Sequence, residues 1–197
     1  NLRGAAPDDE VARAARAHTL TTLRQLNGDS RGHIVRFLYE SSLLNAEQPA
    51  VDLHAADLSG ADFSNVHMAG VSLRNVDLRG ARLVEADMPA SDLREAQLEQ
   101  ADLSRADLAE SYLRGANLRA ALLTGAQLRG AILTKASLVG SNLRDADLSE
   151  ANLSGADLTG ADLTGVNLKG ARLNGATLTE AILDGANVSL ANLSKAT

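Results

Sequence analysis

The sequence predicts an all-β solenoid, a chain wound into four-sided coils of 20 residues, on three observations that share one period. Every fifth residue from Leu53 to Leu193 is apolar: of these twenty-nine positions twenty-five are Leu, and the others are Phe63, Met68, Met88 and Val188. The residue two places earlier is always small, Ala in twenty-one cases, Val in five and Ser in three. Thirteen of the sixteen glycines fall two places after the central residue. A period of five fits neither the 3.6 of a helix nor the 2 of an alternating strand, so the chain is a repeat protein.

Each five-residue unit reads as one flat side. The central residue and the small residue before it point inward, and the other three meet solvent. Pairing one large with one small inward residue fills a narrow prism without overpacking it. Coils stacked at about 4.8 Å pair their backbone groups with the coils on either side. Residues 20 apart then lie over one another, and about seven coils make a rod of roughly 35 Å. The glycine register is the corner, where a missing Cβ eases the turn. Glu85, Arg105, Lys135 and others share that register. Positive φ is therefore not expected at every corner, and two turn types are expected. Ser91 and Ser111, inward and one coil apart, are expected to touch through their hydroxyls.

The units Ala-Asp-Leu-Ser-Gly (56–60), Ala-Asn-Leu-Ser-Gly (151–155) and Ala-Asp-Leu-Thr-Gly (156–160 and 161–165) resemble the A(D/N)LXX units of the pentapeptide-repeat family. The resemblance covers about three quarters of the chain. It implies a right-handed quadrilateral β-helix; the handedness comes from the resemblance alone.

The first fifty residues lack the five-period and divide the chain into a helical cap, 1–50, and the solenoid, 51–197. Pro7-Asp8-Asp9-Glu10 reads as a helix start with Asp8 as its cap. The helix runs to about Leu26, where Asn27-Gly28-Asp29 stops it. Ser30 is expected to cap a second helix in which Ile34, Phe37, Leu38 and Leu44 face one side. The stretch 23–44 also resembles a segment that precedes the repeats in some family members. Such a lid would cover the first coil, whose open edge otherwise invites aggregation. Val66, Val71, Val76, Phe63 and Met68 give the first coils a bulkier interior than the rest.

Composition narrows the function. Cysteine is absent, which excludes disulfides and thiolate metal sites. His18, His33, His54 and His67 are scattered, and no HExxH pattern or companion base marks a catalytic or metal site, so no enzyme activity and no cofactor are expected. The net charge is −6, and the excess lies in residues 51–197, which hold 19 acids against 13 bases. An acidic rod argues against direct nucleic-acid binding and suits a protein partner. With no signal-peptide pattern and no apolar run near 18 residues, a cytoplasmic location is expected. The chain begins at Asn1, so tethering by a segment further upstream stays open. Pairing of two copies through the C-terminal coil is also expected, as in dimeric family members.

Two outer surfaces are candidate partner sites. One is an acidic face with Asp87, Asp107 and Asp147 in one column and Glu110 and Glu150 in another. The other is a ladder of Arg74, Arg94 and Arg114 on three successive coils, beside Asp92, Glu95 and Tyr112. The expected function is a non-enzymatic protein-interaction scaffold. The alternative, implied by resemblance to the quinolone-resistance branch of the family, is a DNA-mimicking protein that binds DNA gyrase or another topoisomerase and protects it from a fluoroquinolone or a self-made antibiotic. Members of that branch from Gram-negative bacteria have loops interrupting the coils, whereas this frame is uninterrupted.

Overall fold

A computed structural model describes residues 10–44 and 51–197. Two helices, α1 (Glu10–Gln25) and α2 (Gly28–Glu40), precede the repeats. The expected start of α1 at Pro7 and Asp8 lies outside the described residues. From residue 57 onward, parallel bridges join residues 20 apart in four series. We number the sides by their first bridge: side 1, Asp57↔Asp77; side 2, Asp62↔Arg82; side 3, His67↔Asp87; side 4, Ser72↔Asp92. Each side contributes one bridging residue, because five residues that include a corner leave no room for a longer strand.

Local chemistry accounts for each position of the unit, as residues 56–60 show. The Ala56 carbonyl accepts from the Asp77 amide of the next coil, the Leu58 amide donates to the Asp77 carbonyl, and the Gly60 amide donates to the Arg79 carbonyl. The Ala61 amide closes the turn on the Leu58 carbonyl. That leaves the Ser59 amide, which the neighbouring coils do not reach. It donates to Asp57 Oδ1 at 3.1 Å, and the Ser59 hydroxyl donates to the same oxygen at 2.7 Å. The arrangement repeats at Asp102–Ser104, Asn152–Ser154, Asp157–Thr159 and Asp162–Thr164. Asp or Asn before the central Leu is thus a turn-forming residue, and Ser or Thr after it reinforces the same turn. The Leu and Ala columns are buried as far as Ala176.

Two expectations about the interior and corners are corrected. Every corner from Ala55 to Lys195 has positive φ, between 52° at Ala120 and 70° at Gly170 and Gly185, so one backbone conformation serves glycine and non-glycine alike. The coil geometry imposes it, since a closed turn whose amide also bonds the next coil leaves the corner residue little choice. The inward serines do not touch each other. Ser111 and Ser141 donate to the carbonyls of Leu108 and Leu138 at 2.6 and 2.7 Å, and Ser91 donates to Met68 at 3.3 Å, so each hydroxyl is satisfied by backbone.

The helices lie directly on the first coil. A Cβ added at Gly28 would overlap the Gly60 carbonyl, and one at Gly32 the Asp62 carbonyl, so only glycine allows this approach. The carbonyls of His54, Ser59, Ser64 and Ala69 have no preceding coil to supply an amide. Side chains replace it, one per side: Arg16 donates to His54, Arg31 to Ser59, Arg36 to Ser64 and Tyr39 to Ala69, at 2.8, 2.8, 3.4 and 3.0 Å. Arg31 also reaches Asp57 and the Leu23 carbonyl at the end of α1. The cap of α2 is Asn27, whose side chain accepts from the Ser30 amide; Ser30 is the donor rather than the cap. The buried face of α2 is Gly32, Val35 and Leu38. Leu38 and Leu44 are buried and Ile34 is partly buried against the core, whereas Phe37, expected on the same side, is 63% exposed and Val35 is buried instead.

Candidate interaction faces

The acidic face is side 3. His67, Asp87, Asp107, Gln127, Asp147, Asn167 and Asn187 form one continuous bridge series. Asp107 and Asp147 sit at the turn-forming position, and their Oδ1 atoms accept from the amides of Ala109 and Ser149, each at 2.9 Å. Asp147 Oδ1 also accepts from Asn167 Nδ2 at 2.9 Å, and Asn167 in turn accepts from Asn187 at 3.2 Å. Asp87 differs. Residue 89 is proline and has no amide to offer. Asp87 instead meets His67 Nδ1 at 3.0 Å through Oδ2. The second acidic column, Glu110 and Glu150, occupies corners with φ of 58° and 60°, and Arg129 pairs with Glu150 at 3.3 Å.

Other carboxylates at the turn-forming position show its electrostatic effect. The Thr159 and Thr164 hydroxyls and amides hold the Asp157 and Asp162 carboxyls below the usual Asp range. Ser64 does so for Asp62, and the Arg79 guanidinium for Asp77. The turn therefore favours the ionised form.

The arginine ladder lies on side 4. Arg94 grips Asp92 through two hydrogen bonds, Nε to Oδ1 at 2.7 Å and Nη2 to Oδ2 at 2.5 Å, and its guanidinium lies 5.9 Å from the Tyr112 ring centre. Hydrogen bonding to Asp92 raises the Arg94 pKa further. Arg74 reaches Asp92 from the preceding coil at 3.9 Å. Arg114 is exposed and makes no ion pair among the described residues. The Glu95 carboxylate is folded over the next corner, against Gly115. Asp92, Tyr112 and Ile132 are successive bridge partners, so the half-exposed ring and the Ile132 side chain adjoin one another beside the arginines. Sequence reading placed Tyr112 here but missed Ile132, although the spacing 92, 112, 132 carried the signal.

No group of three or more potential metal-ligating side chains clusters among the described residues. No helix there is long and apolar enough to cross a membrane. In the last described coil Ile182, Leu183, Val188, Leu190 and Leu193 are exposed.

Among curated proteins none matches the chain. Solved structures do. A pentapeptide repeat protein from the thylakoid lumen of Arabidopsis thaliana is 37% identical, over 49% of this chain and 67% of that one, with a TM-score of 0.48. HetL, involved in heterocyst differentiation regulation in the cyanobacterium Nostoc sp. strain PCC 7120, is 33% identical over 73% of this chain and 83% of its own, with a TM-score of 0.36. QnrB1, a plasmid-mediated fluoroquinolone resistance protein, is 22% identical over 73% of this chain and 72% of its own, with a TM-score of 0.48. The family model for pentapeptide repeats matches residues 52–88, 91–126, 111–149, 121–160 and 161–197, eight copies in all. With that match across the whole coil region, the chain belongs to the pentapeptide repeat family.

Proposed function

We propose that this chain is a non-enzymatic interaction scaffold: a stack of about seven coils under its α1–α2 cap, holding outer side chains in fixed columns for a protein partner. The observation that carries this reading is the side 4 cluster. There Arg94 is locked by Asp92 and set against Tyr112, and Arg114, two residues on, is exposed and makes no ion pair among the described residues. Exposed Tyr and pre-positioned Arg are the residues that anchor protein interfaces, because little side-chain freedom remains to be lost on binding. A tagged protein should co-purify a specific partner that is lost when Arg74, Arg94 and Arg114 are all changed to Glu. Recovery of the same proteins by that variant, or by an unrelated acidic rod, would remove the reading. Pairing of two copies through the C-terminal coil, where Leu190 is exposed at a corner, is tested by light scattering with Leu190→Glu: the wild type should be a dimer and the variant a monomer.

A second reading, topoisomerase binding through side 3, is favoured by one observation: Asp87, Asp107 and Asp147 share a single bridge series along the rod. Replacing all three by Asn removes the charge; at Asp107 and Asp147 it keeps an acceptor for the turn, since Asn152 forms the same turn, and Asp87 faces Pro89 and has no turn amide to lose. If the reading holds, wild-type protein at micromolar concentration alters gyrase supercoiling or relieves fluoroquinolone inhibition, and the triple Asn variant does so less. Absence of any effect of the wild type on the gyrases of plausible hosts would end it.

A further inference from the structure

We infer that side 4 seats an acidic amphipathic helix laid along the rod axis, its carboxylates on Arg74, Arg94 and Arg114 and its apolar residues on Tyr112 and Ile132. The inference rests on the scaffold reading and adds the form of the partner.

Charge points to acids. The rod as a whole is acidic, yet this column sets three arginines against only Asp92 and Glu95. Asp92 is consumed by Arg94 and Arg74, and Glu95 is turned onto the neighbouring corner. Positive charge is thus left facing outward, at Arg114 above all. The adjoining ring and Ile132 make the patch amphipathic.

Spacing points to a helix. The three arginines are successive members of a column that advances one coil at a time, so their backbones lie at about 0, 4.8 and 9.6 Å along the rod. A helix rises 1.5 Å per residue, and its positions i, i+3 or i+4, and i+7 lie at about 0, 4.5–6 and 10.5 Å. The last mismatch, below about 1 Å, is easily absorbed by Arg and Glu side chains. An extended strand presents alternate residues at about 0, 6.7 and 13.4 Å, so its third carboxylate is out of register by nearly a whole coil.

Fluorescence anisotropy with three labelled peptides of about 18 residues, long enough for a stable helical stripe, tests this. The first carries Glu at i, i+4 and i+7 with Leu beside them on a helix-favouring background. The second has the same composition with Glu spread around the helix. The third repeats the first with two central prolines. The first should bind at least about tenfold more tightly than either control, lose about tenfold on Arg114→Glu and on Tyr112→Ala, and weaken as salt rises. Both substitutions are at exposed side chains outside the core, so the coil stays folded. Equal binding of the control peptides, or none by the first, overturns the helix. Because the co-purification with the triple Glu variant is independent, a partner lost there while the peptides fail would leave the scaffold standing and the helical partner excluded.

Discussion

The coils and the cap answer the same demand by different means. Inside the rod a carbonyl such as Arg79's is met by a backbone amide from the coil before it, Gly60. At the first coil the equivalent carbonyls of His54, Ser59, Ser64 and Ala69 are met by Arg16, Arg31, Arg36 and Tyr39. Two helices thus act as a substitute coil, with long side chains doing what backbone does elsewhere. The difference teaches that a repeat end needs donors at the right four places, whatever element carries them. It also predicts unequal consequences of damage, since rod contacts are shared by neighbours on both sides whereas cap contacts are shared on one.

The largest effect is expected in the rod interior. Leu118→Ala empties a fully buried site between coils that cannot slide together and should cost about 3 kcal/mol. Urea unfolding followed by circular dichroism should show the loss with no selective loss of helix. Damage at the cap should be smaller and confined. Gly32→Ala must lift α2 off the Asp62 carbonyl, and Arg31→Met leaves the Ser59 carbonyl without its donor and breaks the link to α1; each should cost about 2 kcal/mol. Hydrogen exchange should then rise in residues 10–44 and the first coil while the middle coils stay protected. Uniform exchange along the whole chain would show that cap and rod unfold as one unit, with no separate weakness at the cap.

Acid should act on the rod through its turns. The Asp157, Asp162, Asp62 and Asp77 carboxyls are held below their ordinary value, so the unfolded chain binds protons more readily than the folded one. The stability they add is fully present above the unfolded value of about 3.9 and is lost as pH falls through the lower folded values. The Tm should be level above about pH 5 and fall below about pH 4. The double variant Asp157→Asn, Asp162→Asn keeps both turn acceptors and should flatten that fall; an unchanged pH profile would mean the turns do not cause it.

How much was legible in the sequence follows the same division. The rod could be read because each unit repeats one local solution, and the columns of Arg74, Arg94 and Arg114 or of Asp87, Asp107 and Asp147 follow from counting by 20. The turn role of Asp107 and Asp147 was not read, because it lies in an amide two residues away that the coils leave unpaired. The cap contacts were not read because they depend on how α2 is rotated against the first coil. Gly28 and Gly32, one helical turn apart, were the available sign of close approach, and recognising it would have placed Phe37 outside.

The corners give the smallest effect and the sharpest test of what the coil imposes. Ala120 and Gly140 occupy the same corner column on successive coils, with φ of 52° and 64°. A Cβ at Gly140 would meet nothing within 4 Å, so packing does not enter. The left-handed conformation costs a residue with a Cβ about 1 kcal/mol, and the greater freedom of unfolded glycine offsets roughly half of that. Gly140→Ala should therefore destabilise by about 0.5 kcal/mol and Ala120→Gly should stabilise by a similar amount, a shift resolvable in paired denaturation curves. If Ala120→Gly were neutral or destabilising, strain would not be what separates glycine from other residues at these corners. The thirteen glycines of the register would then need another cause, such as the room that Gly115 and Gly165 leave for the carboxylates of Glu95 and Asp145 on the preceding coil.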